Sequence, residues 1–242
     1  MKKLIIGLLV SMAFIPVAMA DQLQVGYLGS GNGPYQAGAG GEFTLNPLGG
    51  WLNLNGYVSN YTRNIGVNGT FQSFCLEGNE YLYPYPATYD AVMNNYAVNG
   101  GMGGDIGSYG DPISVGTGWL YSQFASTVWD AGLSYNYDSG RTTSADALQK
   151  AIWWLEGEEG IGYNASNPYM LAAVNKFGGE AGAMAPGGYT YNVYALNISD
   201  GGPAQDQLFY GTSTTVPEPN LNIMLGIGLL TVITLAVWCK KI

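Results

Sequence analysis

The chain has 242 residues, of which 10% are charged and 13% aromatic, and its formal net charge is −9 at pH 7. This acidic balance argues against nucleic acid as a partner, because a phosphate backbone would repel the protein. Histidine is absent, which removes the commonest general base and the commonest metal ligand. This argues against serine triads, cysteine–histidine dyads and zinc hydrolysis, and we expect no metal, no cofactor and no enzyme of these classes.

The amino-terminal residues 1–20 have the composition of a secretory signal peptide. Two lysines begin the segment, residues 4–17 are apolar, and residues 18–20 form the small-x-small pattern that a signal peptidase accepts. The apolar run is shorter than the ~20 residues that a membrane-spanning helix needs. We expect cleavage before Asp21 and export through the inner membrane.

Residues 21–215 are expected to form one ectodomain that begins with strands. Residues 21 to about 104 are rich in glycine, asparagine and aromatic residues, with alternating stretches at 51–58 and 69–76. Alternation bounded by glycine and asparagine is typical of strands joined by turns. The glycine-rich segment 98–107 predicts a flexible loop.

Three helical stretches follow this loop. In the first, Leu120, Phe124 and Val128 recur at every fourth position, which predicts one apolar face. The second is predicted over residues 143–156 and the third over residues 167–178, each with a capping residue at its start and a glycine at its end. An alternating run at 189–197 then returns the chain to the sheet, so the order of elements predicts an α+β fold.

The carboxyl-terminal residues 216–242 have the layout of a membrane-held segment. Its apolar stretch, residues 221–238, reaches about 27 Å as a helix, enough to cross a hydrocarbon core. Two lysines follow, which place the ectodomain on the outer side of the membrane. The motif before the helix consists of Val216, Pro217, Glu218 and Pro219. A plain single-pass anchor is one interpretation.

The order of proline motif, apolar helix and basic stub resembles more specifically the PEP-CTERM sorting signal. In Gram-negative bacteria this signal is recognised and cut by a membrane protease called exosortase. The resemblance implies that exosortase processes the protein, that the inner membrane holds it only transiently, and that it then reaches the cell surface or the extracellular space.

Cys75 is the single cysteine between the two targeting segments, and an unpaired thiol in an oxidising compartment calls for a reason. It lies in the sequence Ser-Phe-Cys-Leu-Glu at 73–77, on a predicted strand. Gln149 lies in Ala-Leu-Gln-Lys-Ala-Ile-Trp-Trp at 147–154, on the second predicted helix. Trp153 is one turn further on the same side and can shield the glutamine.

These two motifs resemble the thioester domains of bacterial surface adhesins. In that family a cysteine that follows an aromatic residue on a strand is linked to a glutamine in a Leu-Gln-x-x-Ile-Trp-like stretch, and the resemblance extends in order over roughly residues 43–210. It implies that Cys75 supplies the sulfur and Gln149 the acyl carbon, with Phe74 and Trp153 supporting the pocket. It also implies an α+β fold with an antiparallel β-sandwich-like sheet and a three-helix insertion.

The function implied by this resemblance is covalent attachment of an exported surface or matrix protein to an amine. The amine would be a lysine of a surface protein or a polyamine. Two other interpretations stay open: Cys75 is a buried packing residue, or the protein is a non-covalent structural or glycan-binding component of an exopolysaccharide matrix that stacks sugars on aromatic rings.

Two further interpretations of acidic residues are weaker. Glu156, Glu158 and Glu159 could supply paired carboxylates for glycoside hydrolysis, but they crowd a helix end, where solvated acids are common. The segment 200–206 offers oxygen ligands for calcium, but it lacks EF-hand spacing and is better explained as a turn between strands.

Overall fold

A computed structural model describes residues 21–26, 33–38, 40–49, 70–78, 80–82, 87–98, 110–130, 132–158, 160–200 and 204–211. All of them belong to one compact unit, Ala20–Ser213. The predicted signal peptide, the strand at 51–58, nearly all of the loop at 98–107 and the sorting segment at 216–242 lie outside the described residues. Among the residues that are described, no helix has the length and apolar character needed to cross a membrane.

The strands are β1 (Asp21–Val25), β2 (Gln36–Ala37), β3 (Gly40–Gly41), β4 (Phe43–Pro47), β5 (Phe71–Ser73), β6 (Ala87–Asn94), β7 (Tyr96–Ala97), β8 (Asp111–Pro112), β9 (Val193–Ser199) and β10 (Gln207–Tyr210). Six of them form one sheet in the order β10-β9-β6-β1-β4-β5, and each neighbouring pair is antiparallel. The pairs β2–β3 and β7–β8 form two small separate ladders. The predicted α+β class with an antiparallel sheet is confirmed.

The six-stranded sheet is nearly closed, because the chain that follows β5 returns to the opposite edge strand. The Leu76 N–H donates to the Asp206 carbonyl, and the Leu208 N–H donates to the Phe74 carbonyl, both at 3.0 Å. Cys75 forms an isolated antiparallel bridge with Gln207. The predicted strand at 69–76 is therefore shorter than expected, and Cys75 lies just after β5, at the seam where the two edges meet.

The helices are α1 (Val115–Ser126), α2 (Arg141–Leu155), α3 (Pro168–Phe177) and α4 (Glu180–Ala183), and a 3-10 turn follows at Gly188–Tyr191. They lie between β8 and β9 in the sequence. The prediction of three helices missed α4, because a single turn is too short to show helical periodicity.

The caps explain where the helix predictions succeeded and failed. Asn167 accepts hydrogen bonds from the first turn of α3, and Gly178 ends that helix in the left-handed region at φ 75°, as predicted. Thr127 takes a left-handed conformation at φ 59° and ends α1. The placement of Val128 on the apolar face of this helix was therefore wrong, since Val128 is 70% exposed.

Two other predicted boundaries were also shifted. Helix α2 begins at Arg141, two residues before the predicted start, because the Arg141 N–H donates to the Asp138 carbonyl in the preceding turn. The run at 189–197 begins as the 3-10 turn and becomes a strand only at Val193, after Asn192 adopts φ 57°.

Two hydrophobic clusters fill the interior. The helical cluster is built largely from the helices and includes Phe74, Leu120, Leu148, Ile152 and Tyr169. The sheet cluster is built largely from the strands and includes Leu23, Leu45, Phe71, Cys75 and Leu196, with Trp153 packed against it. Neighbouring residues of an extended chain point to opposite faces, so Phe74 joins the first cluster and Cys75 joins the second.

Candidate functional site

The structure brings the side chains of Cys75 and Gln149 into contact, although 74 positions separate them in the sequence. The Cys75 Sγ lies 3.3 Å from the Gln149 Oε1. Both residues are buried, with 0% and 1% of their surfaces exposed. A thiol is thus held beside a carboxamide in a site from which water is excluded.

The Gln149 amide is fixed by hydrogen bonds at both of its ends. Its Nε2 donates to the Cys75 carbonyl at 2.9 Å. Its Oε1 accepts from the backbone N–H of Gly41 at 3.4 Å and from that of Cys75 at 3.3 Å. Two backbone donors aimed at one carbonyl oxygen form an oxyanion hole, which polarises the carbonyl carbon and stabilises a tetrahedral intermediate formed there.

The hairpin of β2 and β3 covers this amide, and Gly40 allows the close approach. A Cβ added at Gly40 would lie 2.6 Å from the Gln149 Cγ and 2.6 Å from the Trp153 Cη2. These separations are too short for any side chain larger than hydrogen. Glycine is therefore required here for the hairpin to bring the Gly41 N–H within reach of Gln149.

The two residues predicted to support the pocket have different positions. Trp153 packs against the sheet cluster that contains Cys75, one helical turn after Gln149. Phe74 is fully buried, but its ring packs on Phe124 at a centroid distance of 5.0 Å, inside the helical cluster. Packing of this ring in the helical cluster fixes the backbone next to Cys75, on the face opposite the Cys75 thiol.

The electrostatic surroundings of Cys75 favour the neutral thiol. Burial, more than any other factor, raises the pKa of the Cys75 thiol well above its usual range, and the charges of Glu77 and Glu158 raise it further. The Trp153 indole N–H acts in the opposite direction and lowers this pKa. Any reaction of Cys75 must therefore move the thiol proton as the sulfur reacts.

Glu77 and Asp206 form a buried pair of acids next to the site. The Glu77 Oε2 accepts from the Asp206 N–H at 2.8 Å. Burial and then the Asp206 charge raise the pKa of Glu77 well above its usual range, and burial raises the pKa of Asp206 to about 7. The Asp206 carboxylate accepts from the Val98 N–H and the Asn197 Nδ2, each at 2.6 Å.

The hydrogen bonds of Asp206 argue against calcium binding by the segment 200–206. This carboxylate is occupied by N–H donors, which is the environment of a structural acid rather than of a cation ligand. In the described part of the chain, no group of three or more potential ligands is arranged to hold a metal ion.

The expectation that the acids after α2 are solvated was wrong for Glu156 and Glu158, which are 9% and 5% exposed. The Glu156 Oε1 accepts from the Ser114 Oγ at 2.8 Å, and burial raises the pKa of Glu156 to about 7. The Glu158 Oε2 accepts from the Gly78 N–H at 2.8 Å. These contacts bind the end of α2 to the start of α1 and to the segment that follows Cys75. Glu159 lies outside the described residues.

These buried acids predict a domain that loses stability as the pH rises. Glu156 and Asp206 bind protons more tightly in the folded state than in the unfolded state, because their folded pKa values are about 7. Unfolding free energy is therefore highest below about pH 4 and falls as pH rises from about 4 to about 7. Melting temperatures measured across this range test the sign of the slope.

Matched variants assign this slope to the buried acids. Glu156→Gln should flatten part of the pH dependence, whereas Glu180→Gln, at an exposed position, should leave the slope unchanged. A wild-type domain whose stability increases between pH 5 and pH 7 would contradict the prediction.

No family model matches the chain, and neither a curated protein nor a solved structure matches it significantly. The resemblance to thioester domains and to PEP-CTERM sorting signals therefore rests on the sequence motifs. The chemistry of the site rests on its geometry.

Several residues of the site were not singled out by the sequence. The Gly41 N–H, the close approach at Gly40 and the carboxylate of Glu77 all require the folded arrangement, and Glu158 was considered only for glycoside hydrolysis. The glycine-rich stretch Gly-Ala-Gly-Gly at 38–41 is the one available signal, since glycine within a strand often marks a close backbone approach.

Proposed function

We propose that Cys75 and Gln149 condense into an internal thioester, and that the protein uses this bond to attach itself covalently to amine-bearing targets. The observation that carries the proposal is the pairing of a buried sulfur with an amide whose oxygen accepts two backbone hydrogen bonds. Packing alone does not require this arrangement, because a buried cysteine needs no carboxamide partner.

The chemistry of bond formation balances without any added reagent. The Cys75 Sγ attacks the Gln149 Cδ, the carbon–nitrogen bond breaks, and ammonia departs with the thiol proton. Close placement of the two groups makes the step intramolecular, and the N–H donors of Gly41 and Cys75 stabilise the negative oxygen of the intermediate.

Attachment to a target repeats the same chemistry with a different nucleophile. The nitrogen of a lysine side chain or of a polyamine attacks the Gln149 Cδ, the carbon–sulfur bond breaks, and an amine proton is transferred to the Cys75 sulfur. The product is a stable amide, so each molecule reacts once and the protein is not an enzyme. Until then, burial of the bond protects it from water.

Intact mass spectrometry of the freshly purified, undenatured protein tests the proposal. The wild type should be lighter than its sequence by one ammonia, and Cys75→Ala and Gln149→Ala should each restore the full mass. Methylamine added to the wild type should also restore the thiol and add one amine per molecule. Full mass in fresh wild-type protein would refute the thioester.

Two controls make this measurement specific. Gln123→Ala removes another buried glutamine, on α1, and should leave the deficit intact. Asparagine–glycine sequences such as Asn68-Gly69 can also lose ammonia by cyclisation, so only a deficit that disappears in both Cys75→Ala and Gln149→Ala counts as the thioester.

We further propose that the domain is exported, held briefly in the inner membrane, and released to the cell surface after exosortase acts on the motif 216–219. The sequence of the two termini supports this proposal, and the sheet and helices would correspond to the sandwich-like and helical parts of a thioester domain. Mass spectrometry of the secreted form reports both termini, which should lie at Asp21 and before residue 221.

The alternative is non-covalent glycan binding in an exopolysaccharide matrix. The helical side carries an open groove of about 500 Å³ lined by Trp119, Leu171 and Lys176. Trp119 is only 5% exposed, and the Lys176 Nζ lies over its ring at 5.3 Å from the centroid. The ring face in this groove is therefore covered, which favours the thioester over sugar stacking at this place. Saccharide binding that persists in Cys75→Ala would support the alternative.

A further inference from the structure

Trp153 carries a buried donor that the proposed reaction does not yet use. Its Nε1 is fully buried and has no hydrogen-bond partner among the described residues. An unpaired buried N–H is unfavourable, and a tryptophan in a protein interior usually finds an acceptor. This donor therefore calls for an explanation.

The position of the Trp153 ring directs this donor to the reactive pair. Trp153 follows Gln149 by one turn of α2, which places both on the same side of the helix. The far edge of the ring meets the backbone of Gly40, and the ring packs against the cluster that contains Cys75. The Trp153 N–H also lowers the pKa of the Cys75 thiol, as expected for a donor placed on the sulfur side of the ring.

The sulfur needs such a donor when the thioester is consumed. As the carbon–sulfur bond breaks, the electron pair goes to the Cys75 sulfur, which carries negative charge until the amine proton reaches it. Glu77 lies two residues after Cys75 and Glu158 accepts from the Gly78 N–H, so both oppose that charge when they are ionised. A thiolate without a compensating donor would be a poor leaving group in this pocket.

We propose that Trp153 assists cleavage of the Cys75–Gln149 bond by donating a hydrogen bond from its Nε1–H to the Cys75 sulfur as an amine displaces it. The inference rests on the proposed function and adds a leaving-group donor to it. The Gly41 and Cys75 N–H groups donate to the Gln149 oxygen, and Trp153 would donate to the Cys75 sulfur. Both atoms that gain negative charge would then have a hydrogen-bond donor. The same contact stabilises the sulfur when it first attacks Gln149.

The test compares wild type with Trp153→Phe in the full chain, in a Cys239→Ser background that leaves Cys75 as the only thiol. Trp153→Phe should retain the ammonia deficit but react with methylamine about 10- to 100-fold more slowly, the effect of one lost hydrogen bond to a charged group. Release of the thiol, followed with a thiol reagent, measures this rate.

A second measurement separates donation from packing. After complete reaction with methylamine, the pKa of the free Cys75 thiol is read from the pH dependence of its alkylation. Trp153→Phe should raise this pKa, whereas Glu158→Gln should lower it, since that change removes an opposing charge. A purely structural role for the ring would leave the thiol pKa unchanged.

The chain offers a matched control in the adjacent tryptophan. Trp154 is 2% exposed and belongs to the helical cluster on the other side of α2, so Trp154→Phe should react at the wild-type rate with the wild-type thiol pKa. If Trp153→Phe fails to fold, benzothienylalanine incorporated at position 153 keeps the bicyclic shape, lacks the N–H, and should show the same slowing.

These measurements distinguish a failure of the proposed Trp153 role from a failure of the proposed thioester. Trp153→Phe that carries the deficit, reacts at the wild-type rate and has an unchanged thiol pKa would overturn the role of Trp153 alone. A wild type without the ammonia deficit would instead refute the thioester itself.

Discussion

Arg141→Met is expected to lower the free energy of unfolding by about 3–5 kcal/mol, the usual cost of leaving one partner of a buried ion pair unpaired. Two Arg141 nitrogens donate to the Glu42 carboxylate at 2.8 Å each, and both side chains are 0% exposed. The Arg141 guanidinium also lies over the Tyr35 ring, 4.2 Å from its centroid. Removing it leaves a carboxylate in the interior whose remaining side-chain donor is the Tyr135 hydroxyl.

Urea unfolding of the variants measures this loss. Lys150→Met is the matched control, because Lys150 forms an exposed ion pair with Asp146 at 2.7 Å and should cost less than about 1 kcal/mol. The double variant Glu42→Gln/Arg141→Met should be more stable than Arg141→Met alone, since no buried charge is left unpaired. A loss below about 1 kcal/mol for Arg141→Met would contradict the prediction.

Gly40→Ala is expected to slow formation of the Cys75–Gln149 bond by about 100-fold, the scale of a 1 Å misplacement at a reacting centre. The new methyl group would lie 2.6 Å from both the Gln149 Cγ and the Trp153 ring, so the hairpin must move away from α2. That movement withdraws the Gly41 N–H from the Gln149 oxygen. The fraction of molecules lacking one ammonia, measured soon after synthesis, reports the effect.

The control for this prediction is a glycine at which an added methyl group would have no steric contact. A Cβ at Gly162 has no atom within 4 Å, so Gly162→Ala should form the bond as the wild type does. If Gly40→Ala lost its ammonia as quickly as the wild type, the hairpin of β2 and β3 would have no role in forming the bond.

Local signals predicted much of the fold and both side chains of the candidate site. The cap at Asn167 and the glycine at Gly178 set α3 correctly, because each acts within one helical turn. Cys75 was identified as the lone cysteine between the targeting segments, and Gln149 through the motif on its helix. Residues 74 positions apart carry no local signal of their contact, so the pairing required the family resemblance before the structure placed them together.

The features that the sequence did not reveal depend on long-range packing. Glu156 was expected at a solvated helix end, but Ser114, far away in the sequence, supplies its hydrogen-bond donors and buries it. The near closure of the sheet depends on Leu76 pairing with Asp206 and on Leu208 pairing with Phe74, which lie far apart in the sequence. Alternation along a strand indicates which face is buried but does not identify the neighbouring strand.

Helix α2 is attached to the rest of the domain at both of its ends. Arg141 binds Glu42 at the first residue, and Glu156 binds Ser114 just after the last. A target joined to Gln149, in the middle of this helix, would transmit tension to two separate anchor points. Mechanical load on the adduct would therefore be shared, and the helix would resist being peeled away from either end.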